Sequence, residues 1–142
     1  MKKLIVSSLV AFAAVCGQAS GWLYDASTNP KTITEQGASG DPWVLKVAVE
    51  SATDNTLLLG VSMASTASKN AISAYGTSDC IDLSGTIRDG NGVEYTIVKI
   101  GRKSFSEVPG IKTFIMPDTV VETGIGMFQT APDLETVHIS TA

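Results

Sequence analysis

The feature that most constrains this chain is a self-similarity in its last third. When Phe105 is set on Phe128, 23 positions later, Gly101 falls on Gly124, Pro109 on Pro132, Ile111 on Leu134, Thr113 on Thr136, Phe114 on Val137 and Met116 on Ile139; upstream, Val98 falls on Val121. Turn residues and apolar residues keep one register throughout. A fixed period in the twenties marks a chain that coils, each turn burying its apolar side against the next.

The apolar spacing narrows the kind of coil. Ile111, Phe114 and Met116 stand at i, i+3 and i+5, and Leu134, Val137 and Ile139 repeat the spacing. This is the strand pattern L-x-x-L-x-L of a leucine-rich repeat. After the strand, Pro117 and Asp118 turn the chain, Val120 and Val121 are expected to pack inward, Gly124 permits a sharp bend, and Phe128 plugs the far side of the coil.

At these residues the chain resembles the BspA-like leucine-rich repeats of bacterial surface proteins. Their unit reads approximately I-G-x-x-A-F, then L-x-x-I-x-I-P-x-x-V. Here it stands as Ile100-Gly101-Arg102-Lys103-Ser104-Phe105, followed by Ile111 through Phe114, Met116 and Pro117 to Val120. The second copy departs from the pattern: Thr123 replaces the usual Ile, Met127 the usual Ala and Ser140 the usual Pro. The resemblance implies a secreted or cell-surface protein that binds proteins or host surfaces, with no catalysis and no cofactor.

The other end of the chain reads as an address. Met1-Lys2-Lys3 is a basic start, and an apolar run from Leu4 to Val15 follows. The run is too short for a spanning helix of about 20 residues, and small residues close it, as in a signal peptide cleaved after Ala19. Cys16 raises a lipoprotein variant, but Val15 stands where that processing wants a small residue. Cleavage removes Lys2, Lys3 and Cys16, leaving 8 basic against 14 acidic side chains, a balance of −6. An acidic exported chain is a poor partner for nucleic acid or anionic membrane surfaces. Cys80 is then left as a lone cysteine, expected as a small buried residue.

Between address and repeats the chain reads as strands and turns. Residues 43–49 and 56–63 are rich in β-branched and apolar residues and flank a turn at Asp54-Asn55, which predicts an antiparallel hairpin. Residues 64–79 read as a surface loop with a short helical turn near 69–74. Asp89-Gly90-Asn91-Gly92 predicts a second hairpin joining residues 85–88 to 93–100. A calcium loop on Asp89, Asn91 and Glu94 fails, because Val93 and Ile100 occupy ligand positions.

The expected fold is therefore mainly β: an N-terminal antiparallel β region capping the start of a leucine-rich repeat solenoid. Its divisions are a signal peptide at 1–19, a β-rich region at 20–79, a lead-in hairpin at 80–100, and one complete and one partial repeat at 101–142. Gly101, Phe105, Ile111, Phe114, Met116, Pro117, Gly124, Phe128, Leu134, Val137 and Ile139 are its structural repeat positions.

No catalytic motif is present: the chain lacks G-x-S-x-G, H-E-x-x-H, C-x-x-C and a P-loop. The expectation is a non-enzyme without metal or cofactor, and without a membrane span after cleavage. The site candidates are the strand positions between the inward ones, Lys112, Thr113 and Ile115, then Glu135, Thr136 and His138, a face of the kind repeat proteins offer to protein or cell-surface ligands. The alternative is a structural stalk or capping segment of a longer surface protein, since a 23-residue array normally needs about three units. Without further units, residues 134–139 form an edge strand and a route to self-association.

Overall fold

A computed structural model describes the backbone of residues 5–9 and 21–140, with side chains from Gly21 to Ile139. The expected signal peptide and its cleavage point thus lie outside the described residues, apart from one strand. The strands are β1 (Ile5–Leu9), β2 (Trp22–Asp25), β3 (Lys31–Glu35), β4 (Val44–Ser51), β5 (Thr56–Leu59), β6 (Ile72–Ala74), β7 (Cys80–Asp82), β8 (Ile87–Arg88), β9 (Glu94–Ile100), β10 (Thr113–Pro117), β11 (Glu122–Thr123) and β12 (Thr136–Ser140). The chain is mainly β, as expected, and no helix occurs among the described residues.

Six strands between Trp22 and Ile100 form a closed barrel, in the order β8-β9-β5-β4-β3-β2 and back to β8. The β4–β5 hairpin lies where the sequence predicts it, turning at Asn55 with φ +54°. The β8–β9 hairpin does too: Asp89 Oδ1 accepts the N–H groups of Asn91 and Val93 at 2.9 and 3.0 Å, and Gly92 takes φ +82°. Closure itself depends on two parallel pairings, β5 with β9 and β2 with β8. Trp22, Tyr24, Ile33, Trp43, Leu45, Val47, Leu57, Leu59 and Ile97 are buried in the core. Each large apolar side chain removed from water there stabilises by roughly 1.5–3 kcal/mol.

β9 belongs to two structures at once. Its start pairs with β8 and closes the barrel, while its end, at Lys99 and Ile100, pairs with β11. From there the chain winds through β10, returns through β11 and reaches β12. A four-stranded parallel sheet results, ordered β1-β12-β10-β7. The core runs continuously from the barrel into this part, through Phe105, Val108, Ile111, Phe114, Met116, Leu134 and Val137. Phe105, Phe114 and Phe128 form an aromatic cluster with ring centroids 4.9 to 5.8 Å apart.

The backbone between Val98 and Pro117 recurs 23 residues later. Thr113 pairs with Thr136 and Lys99 with Glu122, so both parallel ladders are offset by 23. Left-handed residues recur at Lys103 (φ +56°) and Gly126 (+69°), and at Glu107 (+62°) and Thr130 (+51°). Tight turns recur as well: Ser106 N to Lys103 O and Val108 N to Phe105 O, then Gln129 N to Gly126 O and Ala131 N to Phe128 O, all at 3.1–3.2 Å. Gly101 and Gly124 sit where the backbone is crowded. A Cβ at Gly101 meets Ser62 O at 2.6 Å, and one at Gly124 meets Arg102 N at 2.2 Å. No leucine-rich repeat solenoid is present among the described residues, against that part of the expected fold.

Several expectations are corrected. The region before the repeats is a closed mixed barrel rather than an antiparallel β region, because the parallel β5–β9 and β2–β8 pairings seal it. The loop at 64–79 carries the strand β6 on β4 in place of a helical turn. Val121, expected to pack inward, is 79% exposed, and Ile125 beside it is 77% exposed. Phe128 is only half-buried, whereas Phe105 is fully buried. Cys80 is buried but is disulfide-bonded rather than alone; the chain's other cysteine, Cys16, lies outside the described residues.

Candidate functional site

Along β10 and β12 successive side chains alternate between two faces. Phe114, Met116 and Val137 turn to the core. Thr113, Ile115, Thr136 and His138 therefore share the opposite face. The register lines them up in rows across the sheet: Cys80, Thr113 and Thr136 in one, Asp82, Ile115 and His138 in the next. Thr113, Thr136 and His138 are half-buried. Ile115, expected at an exposed position, is fully buried at 0% exposure, so β10 is shielded on both faces there. The unbroken run Phe114-Ile115-Met116 carried that signal, since parallel strands covered on both faces read as continuous apolar stretches.

Lys112 and Glu135 precede the strands and are exposed. They mark the same point in the two units. Lys112 N–H donates to Asp79 O at 2.7 Å, and Glu135 N–H donates to Lys112 O at 2.9 Å. Lys112 Nζ lies 3.9 Å from Asp79 Oδ2. An exposed pair of this kind contributes about 0–1 kcal/mol and matters more for charge pattern than for stability. All six candidates are thus brought into one neighbourhood, five of them with some surface.

Asp79 links this face to a feature the sequence reading missed. A polar cleft of about 430 Å³ lies between residues 35–41 and 77–79. Glu35 Oε1 accepts Trp43 N–H at 3.2 Å on one side, and Thr77 Oγ1 accepts Asp41 N–H at 2.9 Å on the other. The missed residues are Asp79, just before β7, and Asp82, its last residue. β7 joins β10 with an offset of 33, Cys80 against Thr113, so the 23-residue period does not reveal it.

The barrel wall carries a charge cluster of its own. Lys99 Nζ is bonded to Glu50 and lies 3.6 Å from Glu122. The hydrogen bond to Glu50 holds the ammonium pKa above its usual value. The N–H of Val93, followed by those of Asn91 and Gly92 and the Tyr95 hydroxyl, holds the Asp89 carboxyl below the usual range. These groups fasten a turn and a strand pair; neither lies on the candidate face.

The face offers hydroxyls, an imidazole and a rim of opposite charges on a rigid sheet. Among the described residues no group of three or more His, Cys, Asp or Glu side chains is placed to hold a metal ion. Among them, too, no helix is long and apolar enough to cross a membrane. The chain matches no family model, no curated protein and no solved structure.

Proposed function

We propose that this chain is an exported, non-catalytic binding module of the leucine-rich-repeat kind, of the BspA-like type, located at the cell surface or secreted. Lys112, Thr113, Glu135, Thr136 and His138 form its contact face for a protein or cell-surface ligand. One observation carries this reading: the backbone recurrence at 23 residues, in ladders, left-handed residues and turns together. A coil of that length stacks parallel strands into a rigid face, the form such proteins use for recognition. The acidic balance points the ligand away from nucleic acid.

The test has two parts. Produced with its own N-terminus, the chain should be exported and begin at Ser20, and protease added to intact cells should degrade it; an uncleaved chain held in the cytosol overturns the export reading. Beads coated with the exported chain should adhere to cultured host cells. Thr113→Arg with Thr136→Arg should abolish adherence, and Asp54→Arg in the distant β4–β5 turn should not. Equal adherence of all three overturns the contact face.

A second reading, a capping or stalk segment, is favoured by one feature. The indole N–H of Trp22 donates to Asp82 O at 2.8 Å and that of Trp43 to Ser78 O at 2.9 Å, so the barrel seals the β7 edge of the sheet. Adherence lost only on removal of downstream sequence would favour that reading.

A further inference from the structure

The opposite edge of the same sheet is closed by a different device. β1 lies along β12, parallel, with Ile5 against Thr136, Ser7 against His138 and Leu9 against Ser140. β10 meets β12 from the other side at the same residues, Thr113 against Thr136 and Ile115 against His138. β1 therefore continues the ladder in the direction and register that a coil uses. Val121 and Ile125 are exposed apolar side chains on the outer of the two recurring units.

We infer that Ile5–Leu9 is an internal stopper: while the N-terminal segment is attached, it holds the outer edge of β12 closed, and its removal opens that edge to a parallel apolar strand. The pairing needs only the unprocessed chain. The consequence of removal rests on the reading of residues 1–19 as a cleaved signal and on reduction of the Cys80 disulfide, whose one possible partner within this chain, Cys16, lies in that segment. On that reading one segment both directs export and keeps the edge covered until export is done. An exposed, flat strand edge is a template for foreign pairing, so covering it before processing protects the chain.

The register specifies which backbone groups do the work. Thr136 N–H donates to Lys112 O, so Thr136 and, by alternation, His138 direct their amides to β10. Val137 and Ile139 direct theirs to β1. By the same alternation the N–H of Ser7 points at β12 and that of Ser8 points away.

Ser7→Pro therefore removes a ladder donor, whereas Ser8→Pro places its ring on the outer side, where an edge strand tolerates proline. Both variants are made as the full 142-residue chain, produced without export so that the N-terminus is retained. Amide exchange at Val137 and Ile139 should quicken by about tenfold or more in Ser7→Pro, against little change in Ser8→Pro and in the barrel strands. A synthetic peptide of residues 3–10, added to the Ser7→Pro chain, should restore slow exchange at both amides, and a scrambled peptide should not. Unchanged exchange in Ser7→Pro, equal quickening in both variants, or no rescue by the peptide each overturns the stopper. None of these readings depends on export or adherence, so the stopper and the proposed function fail separately.

Discussion

The two ends of the four-stranded sheet are finished differently. At β7 the barrel closes the edge with side chains: two indoles occupy the outward carbonyls of Ser78 and Asp82. At β12 the edge is closed with backbone, by β1. A side-chain seal occupies carbonyls that a further strand would need. A backbone seal satisfies the edge with the same groups that a further strand would use, so it can be exchanged. The first finish is permanent and the second is replaceable.

The largest expected difference lies between the inner and outer of the two recurring units. Phe105 is fully buried beside the barrel, and Phe128 is half-buried at the outer unit. Phe105→Ala should destabilise by roughly 3–5 kcal/mol in urea unfolding, and Phe128→Ala by clearly less. Equal losses would mean the outer coil is as well packed as the inner one and would break the comparison.

Next come the seals themselves. Trp43→Phe and Trp22→Phe keep most of the buried ring but leave Ser78 O or Asp82 O without its indole donor. Each should cost about 1–3 kcal/mol. If either variant is neutral, that indole is not what finishes the β7 end.

At the exposed apolar pair of the outer unit the effect should be small. Val121→Thr and Ile125→Thr should each shift stability by less than about 0.5 kcal/mol. A loss of several times that would show these side chains to be covered in solution.

The smallest effects are those of pH. The Asp89 carboxyl is held below its unfolded value, so its contribution is present above the ordinary carboxylate range, about pH 4, and fades as pH falls through the lowered folded pKa. Lys99 is held above its unfolded value, so its contribution is complete below about pH 10 and fades as pH rises through the raised pKa. Asp89→Asn should flatten the acid limb of a stability–pH curve, and Lys99→Met the alkaline limb. A variant whose curve keeps the wild-type shape would remove that group from the account.

What the sequence made legible was local. The 23-residue recurrence shows in Gly101 and Gly124, Phe105 and Phe128, because a coil repeats its turns and its apolar side together. The hairpins at Asn55 and at Gly92 were legible because turn chemistry sits in adjacent residues. Barrel closure was not, because Leu57 and Ile97 become partners across 40 residues by a parallel pairing that no short motif announces. β7 was missed as part of the sheet for a related reason: its offset from β10 differs from the repeat period. At the candidate face, Lys112, Thr113, Glu135, Thr136 and His138 were proposed as the positions between the inward residues of the L-x-x-L-x-L spacing. Ile115 was misjudged because alternation was applied to a strand that is covered on both sides.

The indole seal has a consequence for assembly. Head-to-tail growth of a sheet needs an open strand edge at each end, with free N–H and C=O groups on both, and a contact that does not close on itself otherwise propagates into a fibre. A chain stripped of its N-terminal segment keeps an open edge at β12, but at the other end Trp22 and Trp43 already hold the carbonyls of Asp82, in β7, and of Ser78, just before it, which an incoming strand would need as acceptors. Two tryptophans thus act as a chain terminator: a foreign strand can be added once, and the next copy finds no edge to continue from.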